Sequence, residues 1–116
     1  MSSHLLADLE ANKKRFVERV LKSKLVWGLH SNEGWAYCPS NHSDADVLLF
    51  WSAESYARRH AVKEWANYSA TSIQLDSFID NWLRGMHQDG VLAGVNFNGD
   101  LAGIEIEPIE LARVLT

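Results

Sequence analysis

The last quarter of the chain constrains the fold most. Val91, Ala93, Val95 and Phe97 alternate up to Asn98-Gly99, and the segment from Leu101 to Glu107 alternates back, with Ile104 and Ile106 on one face. An Asn-Gly pair between two alternating runs is the strongest short-range hairpin signal, because both turn residues must take φ > 0. The pattern predicts antiparallel strands over residues 91–97 and 101–106. Pro108 then suits the first position of a helix over residues 109–115, where its missing N–H costs nothing. A chain that ends this way must build a sheet containing at least one antiparallel pair.

The rest of the chain reads as helices and strands to complete that sheet. Leu5, Leu9, Phe16 and Val20 recur at spacings of four and seven, with Leu6, Val17 and Leu21 alongside, which predicts an amphipathic helix from about Ser3 to Ser23. Two short strands are expected at residues 24–30 and 34–38, joined by the turn residues Ser31-Asn32-Glu33-Gly34, and Pro39 ends the second. After a polar loop, the apolar run Val47-Leu48-Leu49-Phe50-Trp51 predicts a central strand buried on both faces. Ser52 is read as the N-cap of a helix running to Trp65 or Ala66, with Ala57, Ala61 and Trp65 on one stripe. A strand at residues 71–75 follows. Asp76 is read as the cap of a further helix, which turns Phe78, Ile79, Trp82 and Leu83 inward onto the same sheet as Val47, Leu49 and Trp51, and Gly85 marks its end or loosens its last turn. The order is α-β-β-β-α-β-α-β-β-α. The fold class expected is α+β, with residues 1–116 as a single domain and a mixed, mostly antiparallel sheet of five or six strands with helices packed on it.

Several of these segments resemble an uncharacterised bacterial family, the DUF2750 group. They are the run from Lys24 to Leu29 with Glu33-Gly34-Trp35-Ala36, Leu49-Phe50-Trp51-Ser52, the stretch from Ile73 to Leu83, and the closing Glu107-Pro108-Ile109-Glu110-Leu111. The resemblance covers residues 16–114 and implies a fold without implying a chemistry. In its second half the chain also resembles the N-terminal domain of proteins similar to the secretion-associated SseB group. A strand, a Ser-capped helix, a second strand and helix and a late hairpin recur there in that order. That likeness implies a protein-interaction role.

Composition bounds the function. With 47% apolar and 22% charged residues, the 116 residues have the balance of a folded globular domain. The net charge of -4 works against non-specific attraction to nucleic acid or to an anionic membrane, so neither is expected as a partner. Lys13, Lys14, Arg15, Arg19, Lys22 and Lys24 gather in the first helix, where interleaved acids make them read as a solvated face. Cys38 is the one cysteine, so no intrachain disulfide can form. No signal peptide is read at the start, and no apolar run nears the ~20 residues of a bilayer span. The expected location is the cytoplasm.

The candidate chemistry is sparse. Trp27, Trp51, Trp65 and Trp82 fall on positions that periodicity turns inward, as core. Trp35 and Tyr37 share one face of a short strand and, if uncovered, form an aromatic patch rimmed by the polar loop of His42, Asp44 and Asp46. These five residues are the binding site expected. Cys38, His42, Asp44 and Asp46 match no zinc spacing, so no metal is expected, and no glycine loop points to a phosphate cofactor, so none is expected either. Tyr56, Arg59, His60 and Lys63 lie together on the second helix as a mixed aromatic and basic surface for a ligand or nucleic acid, with Glu64 and the acidic total weighing against the latter. The function expected is a protein-interaction module of accessory or immunity type whose partner is another protein, with a homodimer left open. The alternative is a small cofactor-free enzyme, such as a hydrolase, using His and carboxylate residues. A cleft joining His60 or His87 to two carboxylates would favour the enzyme.

Overall fold

The structure, a computed structural model, describes residues 3–116. Its elements are α1 (Ser3–Ser23), β1 (Leu25–Ser31), β2 (Gly34–Trp35), β3 (Tyr37–Pro39), β4 (Asp46–Phe50), α2 (Glu54–Arg59), β5 (Ser69–Gln74), α3 (Leu75–Ser77), α4 (Arg84–Asp89), β6 (Leu92–Val95), β7 (Ile104–Ile106) and α5 (Pro108–Leu115). A 3-10 turn at Lys63–Trp65 precedes β5, and a π-helical segment, Phe78–Leu83, joins α3 to α4. The class is α+β, as the patterning predicts.

The strands form two sheets. One is antiparallel, in the order β2-β1-β5; the other runs β3-β4-β6-β7, with β4 and β6 parallel and the outer pairs antiparallel. The expected strand over residues 34–38 breaks at Ala36. That residue is buried, donates its N–H to Leu29 of the first sheet and accepts the N–H of Leu49 from the second. One residue therefore serves both sheets, and its neighbours Trp35 and Tyr37 are sent into different ones. A second link is the pair Trp27 and Trp51, whose backbones exchange hydrogen bonds of 2.8 and 2.7 Å.

Alternation along the central strands divides the interior into two cores. Leu48 and Phe50 of β4 and Ala93 and Val95 of β6 face a core completed by Phe16 and Val20 of α1, Phe78, Leu83 and Met86 of the 75–89 helical stretch, and Leu111 and Leu115 of α5. Val47, Leu49 and Trp51 face the opposite core, with Leu29, Ala57, Trp65 and Phe97. Phe78, Ile79, Trp82 and Leu83 pack on the sheet of Val47, Leu49 and Trp51, as expected, but on its other face. Phe50, the intervening position, meets Phe78 and Trp82 edge-on with ring centroids 4.8 and 5.9 Å apart. A one-residue shift exchanges the faces of a strand, and a run that is apolar at every position cannot announce which set meets which helix. Trp51 and Trp65 are buried, whereas Trp27 and Trp82 are half-buried.

Local signals were redirected at four places. Ser52 does not cap α2, whose N-cap is Ala53 without a side-chain bond; Ser52 is buried and bonded to Asn96 instead. The helix expected to reach Trp65 or Ala66 stops at Arg59, because the His60 ring takes the Tyr56 carbonyl that a continuing helix would use. Gln74 rather than Asp76 precedes the next helical stretch, and Gly85 lies inside it; Gly90, at φ 71°, ends it. Finally, the hairpin pairs Ala93 with Ile106 and Val95 with Ile104, but residues 96–103 form a loop in place of a two-residue turn. Asn96 and Leu101 take φ of 48° and 56°, and Phe97 leaves the ladder to enter the second core.

Phe97 fits because Gly94 and Gly103 leave it room. A Cβ on Gly94 would lie 2.7 Å from Cε1 of Phe97 and 2.9 Å from Cδ2 of Leu49, both in the buried core. We expect Gly94→Ala to lower the unfolding free energy by about 1–3 kcal/mol, the usual cost of overpacking a core. Urea melts would check this, and a loss within error of zero would show that the ring moves aside freely.

Candidate functional site

A cleft of about 270 Å³ opens where α1, α2 and the 96–103 loop meet. Three segments far apart in sequence supply its walls. Asn12 and Arg15 come from α1, Tyr56, Arg59 and His60 from α2 and its end, and Asn96 to Gly99 from the loop, with Trp51 below. Asn12, Arg15 and the adjacent Arg19 follow one another at i, i+3 and i+7, so α1 presents them along one stripe.

The floor is held by hydrogen bonds that use nearly every polar atom it has. Trp51 is 1% exposed, and its indole N–H donates to the Phe97 carbonyl at 3.1 Å. The His60 ring stacks on it, with centroids 4.7 Å apart and planes inclined by 29°. Nδ1 of His60 lies 2.8 Å from the Tyr56 carbonyl oxygen and Nε2 lies 2.9 Å from that of Asn98. Carbonyl oxygens only accept. A neutral imidazole can donate to one of the two, and the doubly protonated ring donates to both. In each form both ring nitrogens face backbone carbonyls.

Asn96 ties the walls together. Its Oδ1 accepts the Ser52 N–H at 2.9 Å, and its Nδ2 donates to Ser52 Oγ at 3.0 Å and to the Asn12 carbonyl of α1 at 3.3 Å. Its own N–H continues to the Phe50 carbonyl at 2.9 Å. Asparagine tolerates the left-handed backbone adopted here better than most residues do, so one side chain both turns the chain and joins three segments.

The rim is cationic. Arg19 donates to the Tyr56 hydroxyl at 2.7 Å, and the guanidinium carbons of Arg19 and Arg59 each lie 5.3 Å from the Tyr56 ring centroid. Arg15 donates to Asn12 Oδ1 at 2.9 Å. Among the described residues none of these three arginines has a carboxylate within 4.0 Å; the ion pairs found involve Lys14, Arg58 and Arg113. Among the described residues no acidic one lines the cleft.

The site residues expected from the sequence lie elsewhere. Trp35 is half-buried, with its ring 4.5 Å from His30 and 4.7 Å from Trp82, and it packs against the first core. Tyr37 is 57% exposed. His42, Asp44 and Asp46 are all exposed. Their loop is fastened to β7: Glu105 accepts the Ser40 hydroxyl at 2.5 Å and the Asn41 N–H at 2.9 Å. Among the described residues no three His, Cys, Asp or Glu side chains come together as a metal group would require. The aromatic and basic surface of Tyr56, Arg59 and His60 does contribute to the cleft, whereas Lys63 does not line it. Asn12, Arg15, Asn96 and Asn98 were not legible as site residues. The stripe on α1 was visible as spacing, but only tertiary contact shows what it faces.

Cys38 is half-buried on β3, and its thiol pKa is raised, first by burial and then by the charges of Glu105, Asp46 and Glu64. A nucleophilic cysteine needs the opposite shift. We expect iodoacetamide at mildly alkaline pH to label Cys38 several-fold more slowly in the folded protein than in urea; equal rates would refute the assignment. Asn96 is tested by stability. Asn96→Ala removes a partner from the buried Ser52 N–H and should cost about 1–3 kcal/mol. Asn96→Gly loses the same bonds but not the backbone tolerance, so it should be more stable than the alanine variant by about 1 kcal/mol. Thermal or urea melts of the two variants provide the comparison.

Comparison with curated proteins and with solved structures found no match. The model of the family described as a protein of unknown function (DUF2750) matches residues 13–115. That span takes in every wall of the cleft except Asn12 and agrees with the resemblance read from residues 16–114, and the chain belongs to this family.

Proposed function

We propose that the protein is a protein-interaction module that grips an anionic group of its partner in the cleft between α1, α2 and the 96–103 loop. One observation carries this reading. In a chain of net charge -4, Arg15 and Arg59 line a cleft that contains no carboxylate among the described residues. Positive charge confined to a concave site concentrates anions there even when the molecule as a whole repels them.

The same geometry weighs against a hydrolase. His60 is the histidine of the cleft, and both of its ring nitrogens lie within 2.9 Å of backbone carbonyl oxygens. His87 is exposed on α4 and does not line the cleft. The paired carboxylates that acid–base hydrolysis would use are missing from the cleft's lining. Exposed Tyr37, with His42, Asp44 and Asp46 on the neighbouring loop, forms a second contact surface in this proposal, of opposite charge to the first.

Charge reversal tests it. We expect a stoichiometric protein partner to co-purify with the native chain from the cells that make it. The double variant Arg15→Glu/Arg59→Glu should lose that partner while melting within a few degrees of the native protein. Retention of the partner by the folded double variant would remove the cleft from the interface.

A further inference from the structure

We infer that the group taken by this cleft is an oxyanion, a carboxylate or phosphate, carried on a flexible peptide side chain of the partner. The inference rests on the interaction reading above and narrows it from charge to chemistry. It follows from which hydrogen-bonding atoms the cleft has left to offer.

Each side-chain acceptor of the lining already takes a hydrogen bond or faces a backbone carbonyl. Asn12 Oδ1 takes Arg15. Asn98 Oδ1 takes the N–H groups of Asp100 and Ala102 at 2.9 and 3.1 Å, and the Asn98 carbonyl takes Leu101 and faces His60. The Phe97 carbonyl takes the Trp51 indole, Asn96 Oδ1 takes Ser52, and the Tyr56 hydroxyl takes Arg19. What these groups still present are donors: the side-chain NH₂ of Asn12 and Asn98 and the forked guanidinium edges of Arg15 and Arg59. A cation, or a sugar rich in hydroxyl donors, would find these side-chain acceptors already bonded. A planar or tetrahedral oxyanion, which only accepts, matches the set.

The aromatic faces are also in use. The Trp51 ring carries His60, and the Tyr56 ring carries Arg19 and Arg59. A nucleobase therefore finds no ready stacking platform of the kind that single-stranded nucleic acid requires. The contacts also pre-order the site. Arg59 is laid against a ring and Arg15 is tied to Asn12, so less side-chain freedom is lost when an anion arrives.

The test uses small probes and the side-chain resonances of the intact protein. Acetyl-glutamate amide, acetyl-phosphoserine amide, inorganic phosphate, adenosine and chloride at matched ionic strength are each titrated into ¹⁵N-labelled protein. Saturable shifts of the Asn12 and Asn98 amide groups and the Arg15 and Arg59 Nε–H groups with the glutamate or the phosphoserine probe are expected, with none from adenosine or chloride. Which of the two probes saturates first tells whether the natural group is a carboxylate or a phosphate. Arg59→Lys keeps the charge but loses the fork, and it should weaken binding roughly tenfold. No saturable shift from any oxyanion, or an equal response to adenosine, would overturn the assignment. If the oxyanions fail while charge reversal still releases the protein partner, the interaction reading stands and this narrower one falls. If they bind but the partner is retained, the cleft is an oxyanion site and the partner docks elsewhere.

Discussion

Two reciprocal backbone hydrogen bonds, Trp27 N–H to Trp51 C=O and Trp51 N–H to Trp27 C=O, join the two sheets at the point where β4 ends. Trp51 is 1% exposed, so its backbone groups have no water to fall back on. An unpaired buried amide costs about 1–3 kcal/mol, and burial here is possible because the other sheet supplies the partners. Ala36 makes the same kind of bridge one strand away. The consequence is two sheets locked at β4 with a separate core on each side, and helices α1 and α5 and the 75–89 stretch confined to one of them.

The cleft inherits its shape from this junction. Trp51 sends its indole N–H to the 96–103 loop and its ring to His60, which in turn captures the Tyr56 carbonyl and ends α2. An early end to α2 leaves Tyr56 and Arg59 at the rim of a concavity. Asn96 closes the other side by reaching α1 across the chain. Several bonds that build the walls also occupy side-chain acceptors of Asn12, Asn96, Asn98 and Tyr56. The lining that results carries arginines and, among the described residues, no carboxylate, and the proposed role rests on that single sign of charge.

Elements whose cause is local were legible from the residues. The bounds of α1 follow from apolar spacing, the start of α5 from Pro108, and β4 from an unbroken apolar run. The late hairpin was legible as a pairing, yet its Asn-Gly turn was displaced. The left-handed residues are Asn96 and Leu101, because placing Phe97 in the second core outweighs the preference of a two-residue turn. Ser52 shows the same competition: a residue with good cap chemistry was claimed by Asn96.

The sequence by itself determined that this chain folds as α+β, where α1, β4, β5 and α5 lie, and that Tyr56, Arg59 and His60 belong to one stretch with an aromatic and basic side. Those properties depend on spacing within a few turns or pleats, and such spacing is written directly in the residues. Only the tertiary structure decided that there are two sheets, that Phe50 rather than Leu49 meets Phe78, and that Asn12, Arg15 and Asn96 join Arg59 around one cleft. The physical reason is that these outcomes are set by partners as far apart as the 84 positions between Asn12 and Asn96. A residue's side-chain type states what bonds it can make, and the packed fold alone selects which of them it makes.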